Sequence, residues 1–158
     1  MSKLQAGLLT VSSIALLTIS SQEGFSPIPY KDINGVLTNG YGNATINPAR
    51  NVTQKQALAD LNQNVSMIGK KISQCIKVPI TQNQYDAYIN LSYNIGSSAF
   101  CKSTLVKTLN AGDDIGSCNQ IMRWTYVGNK DCKIKANKCG GIVARREAMK
   151  NLCLEGLE

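Results

Sequence analysis

The chain has 158 residues, enough for one domain with a substantial hydrophobic core and too few for two of ordinary size. A hydrophobic fraction of 43% excludes wholesale disorder, and the lack of histidine excludes Ser-His-Asp, Cys-His and histidine-ligated zinc chemistry. The net charge of +7 suits an anionic partner, but no aromatic-rich nucleic-acid motif accompanies the basic residues, so no nucleic-acid partner is expected.

The N-terminal residues 4–22 carry no charged side chain, and this run is close to the ~20 residues that a helix needs to cross a bilayer. Its serine, threonine, glycine and glutamine residues dilute the hydrophobicity, so membrane insertion is expected to be marginal. Three interpretations are open: an uncleaved, weakly held anchor, a cleaved signal peptide, and an amphipathic core helix. We favour the anchor, because the run leads directly into Glu23 without a spacer.

The next stretch, QEGFSPIPYKDINGVLTNGYGN at 22–43, contains two Asn-Gly pairs, which are strong signals for tight hairpin turns. A hairpin that folds back beneath Glu23 would bring Glu23, Asp32 and Thr38 to one cleft. A pair of carboxyl groups is the usual equipment for hydrolysing a glycosidic bond. On spacing alone, a helix-terminal or membrane-edge acid, a turn aspartate and a strand-surface threonine remain alternative readings of the three residues.

The remaining chain is predicted to be mostly helical. Two capping boxes, Thr53-x-x-Gln56 and Thr81-x-x-Gln84, open helical patterns that run to about Gln74 and Tyr93. Further helices are predicted from Ser103 to Leu109, from Asp113 to Trp124, and after Gly141, with a loop from Thr125 to Gly141.

Six cysteines lie beyond the uncharged run, as expected if that part of the chain is exported to an oxidising compartment. Disulfides are therefore favoured over a metal site, because the chain has neither a C-x-x-C pair nor a histidine. The sequence does not determine their pairing, and only the short separation of Cys132 and Cys139 suggests a local bridge.

Taken together, these motifs resemble the phage-type lysozymes of glycoside hydrolase family 24. The resemblance rests on the Glu23-x8-Asp32-x5-Thr38 spacing and continues through YNIGSSAF (93–100), STL (103–105), RWTYVG (123–128) and GIVARRE (141–147). With the weak N-terminal anchor, the chain is similar to the signal-anchor-release endolysins of tailed phages.

The resemblance implies an α+β, lysozyme-like fold, mostly helical, with a small β-hairpin lobe, a larger helical lobe and the active-site cleft between them. Residues 1–22 would form the signal-anchor-release segment and 23–158 the catalytic domain. Glu23 would be the general acid, Asp32 the second carboxylate, and Thr38 the hydroxyl that positions the attacking water.

The resemblance also implies supporting residues. Tyr93 and Asn94 would bind substrate, and Arg145 would support the acid, with Arg146 as the second choice. Where many family members have a histidine after the threonine, this chain has Asn43. Independently of the resemblance, the aromatic residues Trp124 and Tyr126 are assigned to the core, with sugar-binding platforms as the alternative.

The implied activity is that of a muramidase, which hydrolyses the β-1,4 bond between N-acetylmuramic acid and N-acetylglucosamine in peptidoglycan and inverts the configuration. No cofactor or metal is expected, and the protein is expected to be a monomer. Residues 4–22 would hold it in the host inner membrane, with the catalytic domain in the periplasm, until release makes it soluble there. The alternatives are a lytic transglycosylase and a catalytically inactive cell-wall binding module.

Overall fold

A computed structural model describes residues 1–157 and shows a mostly helical α+β fold. The elements are α1 (Ser13–Glu23), β1 (Ser26–Lys31), β2 (Leu37–Gly40), α2 (Gln54–Cys75), α3 (Gln82–Ile95), α4 (Ser97–Cys101), α5 (Thr104–Asn110), α6 (Asp114–Asn119), β3 (Tyr126–Val127), β4 (Lys130–Asp131) and α7 (Gly140–Leu154). Short 3-10 helices cover Ala6–Leu8, Gln120–Arg123 and Lys135–Asn137.

The chain divides into two compact units. One comprises residues 10–68, and the other comprises residues 1–9 together with residue 69 onward. The first unit contains α1 and the β1–β2 hairpin, in which Tyr30 pairs with Thr38 and Lys31 with Leu37. The predicted turn at Asn34-Gly35 is confirmed, since Gly35 lies between the two strands with a φ of 77° and its N–H donates to Asp32 O at 2.9 Å.

The larger unit is built around α3, whose predicted capping box is confirmed. The backbone N–H of Gln84 donates to Thr81 Oγ1 at 3.1 Å, and Gln84 Oε1 accepts from the Thr81 N–H at 2.9 Å. The middle of α3 is buried, and the ring of Tyr88 packs against Phe100 with centroids 5.5 Å apart. Thr81 and Gln84 are both buried, and these two bonds satisfy their capping groups, so the start of α3 is fixed.

The six cysteines form three disulfides, which confirms the sequence-based prediction. The pairs are Cys75–Cys101, Cys118–Cys153 and the local Cys132–Cys139. The first two join residues 26 and 35 positions apart. Closing loops of that length contributes about 3–4 kcal/mol each by restricting the unfolded chain.

Two sequence-based predictions in the larger unit are wrong in detail. The helix predicted from Asp113 to Trp124 ends at Asn119 and continues as the 3-10 helix Gln120–Arg123, because its last N–H groups bond three residues back, as Trp124 does to Ile121 O at 3.1 Å. The predicted loop from Thr125 to Gly141 contains the β3–β4 hairpin and a 3-10 turn.

The uncharged N-terminal run is folded against the protein. The backbone groups of Leu4 and Ile80 exchange two hydrogen bonds of 2.8 Å, and Ala6, Ala15 and Ile19 are buried. Among the described residues, no helix combines the length and the hydropathy that crossing a membrane requires.

Candidate active site

Glu23 is the last residue of α1, where Gly24 ends the helix with a φ of 72°. The Glu23 side chain is half-buried and lies against Gly42, in the turn that follows β2. A β-carbon built on Gly42 would lie 2.8 Å from Glu23 Oε2. The helix end therefore brings the predicted acid onto the β-hairpin region.

Asp32 follows β1 and holds the tip of the hairpin. Its Oδ1 accepts hydrogen bonds from the backbone N–H of Asn34 at 2.8 Å and of Val36 at 2.9 Å. Its own N–H donates to Val36 O at 2.9 Å. These bonds orient the carboxylate, because they tie one of its oxygens to two N–H groups of the turn.

Thr38 lies in β2 and is 3% exposed. Its hydroxyl donates to Val36 O at 3.0 Å, so its oxygen can act only as an acceptor toward another group. Asp32 lies one residue beyond the Lys31–Leu37 pair on the tip side, and Thr38 pairs with Tyr30 on the other side of it, so one strand pair separates the two residues along the hairpin.

The three predicted catalytic residues therefore belong to one compact unit, residues 10–68: Asp32 and Thr38 lie in the hairpin, and Glu23, at the end of α1, lies against the turn after it. A carboxyl group, a second carboxylate and an oriented hydroxyl are the groups that acid-assisted attack of water on a glycosidic carbon requires. Within residues 1–157, no group of three or more potential metal-ligating side chains is placed to hold an ion.

The predicted supporting residues lie in the larger unit, Tyr93 and Asn94 near the end of α3 and the two arginines in α7. Tyr93 is half-buried, and Asn94 accepts a 2.8 Å hydrogen bond at Oδ1 from Arg146 Nη1. Arg146 is 6% exposed, and its Nε also donates to Trp124 O at 2.8 Å. Burial, and secondarily the neighbouring charge of Arg145, lower the pKa of Arg146 from its ordinary value. Arg145 itself is exposed.

The two aromatic residues assigned to the core, Trp124 and Tyr126, differ in how exposed they are to solvent. Trp124 is half-buried and lines an open pocket of about 290 Å³ with Lys102 and Arg123. Tyr126 is 58% exposed, so its assignment to the core is wrong. Its place in a two-residue strand of a surface hairpin explains the exposure.

Sequence reasoning missed an amide network around Asn43. Asn39, Asn43 and Asn64 are all buried, and Asn43 Nδ2 donates to Asn39 Oδ1 at 2.7 Å while Asn64 Nδ2 donates to Asn43 Oδ1 at 3.0 Å. The only signal in the sequence was the position of Asn43, where the resembled family often has histidine.

Comparison with protein-family models decides the affiliation, since the model for phage lysozyme matches residues 20–149. The chain belongs to the phage lysozyme family. This lysozyme is 33% identical to the SAR-endolysin of Bacteriophage PS119 over 161 residues, covering 99% of this chain and 92% of that one. It is 36% identical to the SAR-endolysin of Enterobacteria phage P21 over 155 residues, covering 95% and 90%.

The solved structures agree with this affiliation. The endolysin from Escherichia coli O157:H7 phage FAHEc1 superimposes with a TM-score of 0.78 at 30% identity, covering 94% of this chain and 95% of that one. The lysozyme-like α+β fold predicted from the sequence is therefore confirmed. Membership of this family makes the protein a glycoside hydrolase of the lysozyme type.

Proposed function

We propose that this phage lysozyme is an endolysin that hydrolyses the β-1,4 bond between N-acetylmuramic acid and N-acetylglucosamine in peptidoglycan, as a monomer and without cofactor or metal. The observation that carries the proposal is the placement of Glu23, Asp32 and Thr38 around one hairpin at the family spacing. Its biological result is lysis of the host cell.

In the proposed reaction, Glu23 donates a proton to the glycosidic oxygen as the bond from the anomeric carbon to that oxygen breaks. Asp32 stabilises the positive charge that develops on the sugar and helps remove a proton from the attacking water. Thr38 orients this water on the face opposite the leaving group. Attack from that face inverts the configuration at the anomeric carbon.

Analysis of the products formed from purified peptidoglycan tests the reaction. We expect new reducing ends that appear first as the α-anomer, which early time points in proton NMR detect. Anhydro-muramic products would identify a lytic transglycosylase instead. Binding to peptidoglycan without any new product would identify an inactive binding module.

We further propose that Tyr93 and Asn94 contact the sugar chain and that Arg145 supports the acid. The different surroundings of the two arginines support this choice, because Arg146 is buried and bonded to Asn94 and the Trp124 carbonyl, whereas Arg145 is exposed. Arg146 is thus tied into the fold by a buried guanidinium, whereas Arg145 is reached by solvent.

Alanine substitution distinguishes the two arginines. Arg146→Ala removes a buried side chain together with its hydrogen bonds to Asn94 Oδ1 and Trp124 O, and is expected to lower the free energy of unfolding by roughly 2–4 kcal/mol. Arg145→Ala, at an exposed position, is expected to lower the melting temperature less than Arg146→Ala does and to alter activity and its pH profile. If Arg145→Ala changes neither, while a folded Arg146→Lys alters the pH profile, the supporting role belongs to Arg146.

Residues 1–22 are proposed to form a signal-anchor-release segment ahead of the catalytic domain at 23–158, and the name SAR-endolysin of two relatives supports this. Helix α1 also carries aliphatic residues on its exposed side, since Ile14 is 79% and Leu17 is 60% exposed. Exposed aliphatic residues contribute little to a folded protein in water, but they favour insertion into lipid.

The hydroxyl groups of α1 reduce the cost of that insertion. Thr18 Oγ1 donates to Ile14 O at 2.9 Å and Ser20 Oγ to Leu17 O at 2.8 Å. Because these bonds lie within the helix, they persist when the helix moves from water into hydrocarbon. The segment is therefore suited to enter a bilayer and to leave it again.

The contacts of the first residues correspond to the released state in this proposal. Lys3 Nζ lies 2.6 Å from Asp114 Oδ2, and Leu4 pairs with Ile80. If residues 4–22 crossed the inner membrane with Lys3 in the cytoplasm, as the positive-inside bias favours, a hydrocarbon layer of about 30 Å would separate Lys3 from periplasmic Asp114. The tethered and the folded positions of Lys3 are therefore mutually exclusive.

A further inference from the structure

The turn that faces Glu23 is a three-residue loop closed by an asparagine pair. The backbone N–H of Asn39 donates to Asn43 O and that of Asn43 to Asn39 O, both at 2.9 Å. Residues 40–42 form the loop, and Gly40 and Gly42 have φ values of 56° and 71°. Left-handed backbone at two of three positions is what makes so short a loop possible.

The base of this turn is fixed by buried amides. Asn43 Oδ1 accepts from Asn64 Nδ2 at 3.0 Å and from the Ile46 N–H at 2.9 Å. Asn39 Nδ2 donates to Arg50 O at 2.8 Å. In the interior, leaving any of these groups unpaired is costly, so the network holds the turn in one position.

The tip of the turn is fixed as well. The ring of Tyr41 packs on Phe25 with centroids 5.4 Å apart and an interplanar angle of 47°. Phe25 is two residues beyond Glu23, so the contact joins the turn to the chain that leaves the proposed acid. Gly42 is therefore held from both sides, with Glu23 next to it.

No side chain fits at position 42 with the carboxyl group where it is. A β-carbon on Gly42 would lie 2.8 Å from Glu23 Oε2 and 3.4 Å from Cδ, and a separation below 3.0 Å is essentially never seen for a real β-carbon. We infer that Gly42 is a positioning residue for the reaction: its bare α-carbon, held by the Asn43 network, sets the position of the Glu23 carboxyl group. This inference rests on the proposed role of Glu23 as the general acid.

The test is Gly42→Ala, with Gly128→Ala as the matched control. Gly128 also has a positive φ, of 56°, in a hairpin turn, but a β-carbon there would have no atom within 4 Å. Both variants carry the strain of alanine in a left-handed conformation, so we expect similar losses in melting temperature. Only Gly42→Ala displaces the acid, since a carboxyl group at the end of a flexible side chain moves more easily than the clamped turn.

We expect Gly42→Ala to lower kcat about 100-fold, the effect typical of an ångström-scale misplacement of a catalytic group. KM should change little, and the pH dependence of kcat should shift because the carboxyl group has a new environment. Gly128→Ala should retain wild-type kcat and pH profile. If Gly42→Ala does not fold, Gly42→Asn carries the same β-carbon in a residue that tolerates positive φ, and the same loss is expected.

A folded Gly42 variant with the kcat and pH profile of Gly128→Ala would overturn the inference. An equal loss of activity in both glycine variants would also overturn it, since strain alone would then explain the effect. A different result would show that Glu23 is not the general acid. In that case the Glu23→Gln variant would itself remain active, and the position of the Glu23 side chain would not affect kcat.

Discussion

Replacing Glu23 by glutamine is expected to reduce lysis by roughly two to four orders of magnitude, the usual contribution of a general acid. Glutamine has nearly the same shape as glutamate, so the contact with Gly42 and the end of α1 are retained. What the variant lacks is the proton that the leaving oxygen must receive. The reason for the loss is therefore chemical and not structural.

The measurement is the rate at which permeabilised Gram-negative cells clear in a turbidity assay, combined with the melting temperature of each variant. Glu147→Gln is the matched control, because it makes the same change at an exposed position of α7. We expect the control to clear cells like the wild type. A Glu23→Gln protein that folds and clears cell walls at a near wild-type rate would remove the proposed mechanism.

Local hydrogen bonding explains which helices the sequence predicted well. The box of Thr53 and Gln56 forms as predicted, with the Thr53 N–H donating to Gln56 Oε1 at 2.9 Å, and α2 begins at the next residue, Gln54. A capping box involves only two residues that are three positions apart, so it can be recognised from the sequence alone. The 3-10 turn before Trp124 and the two-residue strands β3 and β4 have no comparable local signal, since the fold around them determines their geometry.

Long-range packing explains what the sequence missed at the candidate site. Arg145 and Arg146 are adjacent and equally polar, and only the rotation of α7 about its axis decides that one is exposed and the other buried. Gly42 is one of two glycines in NGYGN, and nothing in that string indicates which of them faces a carboxyl group. The proximity depends on where α1 ends.

The second large effect concerns the proposed anchor. Replacing Ser13 and Thr18 by leucine is expected to keep the enzyme in the membrane and to suppress lysis in intact cells. Both side chains are exposed in the folded protein, so the leucines disturb no core packing. Ser12 is left in place because its hydroxyl accepts from the Ala15 N–H at 3.1 Å and caps α1. Changing it would weaken the released fold for a separate reason.

The matched control carries two leucines on an exposed helix face outside the anchor, as Gln63→Leu with Ser66→Leu in α2. Ser66 bonds back to Asn62 O at 2.8 Å, as Thr18 does to Ile14 O, so each pair of changes removes one such bond. The control should behave like the wild type, which we expect in the soluble periplasmic fraction, uncleaved and active. Intact mass spectrometry distinguishes this from a signal peptide, because cleavage would yield a chain that begins near Ser21.

The leucine substitutions are expected to retain the enzyme in the membrane because residues 4–22 can lie either in lipid or on the folded protein in water. In lipid, each leucine favours insertion by up to about 0.6 kcal/mol. The unfavourable contribution of the polar residue that the leucine replaces is also removed. In water, the same leucine at an exposed position gains almost nothing. The balance therefore shifts toward the membrane, where Lys3 lies far from Asp114 and Glu23 is held at the lipid boundary. If the double variant is recovered soluble and active like the α2 control, hydrophobicity of residues 4–22 does not govern release, and the anchor proposal fails.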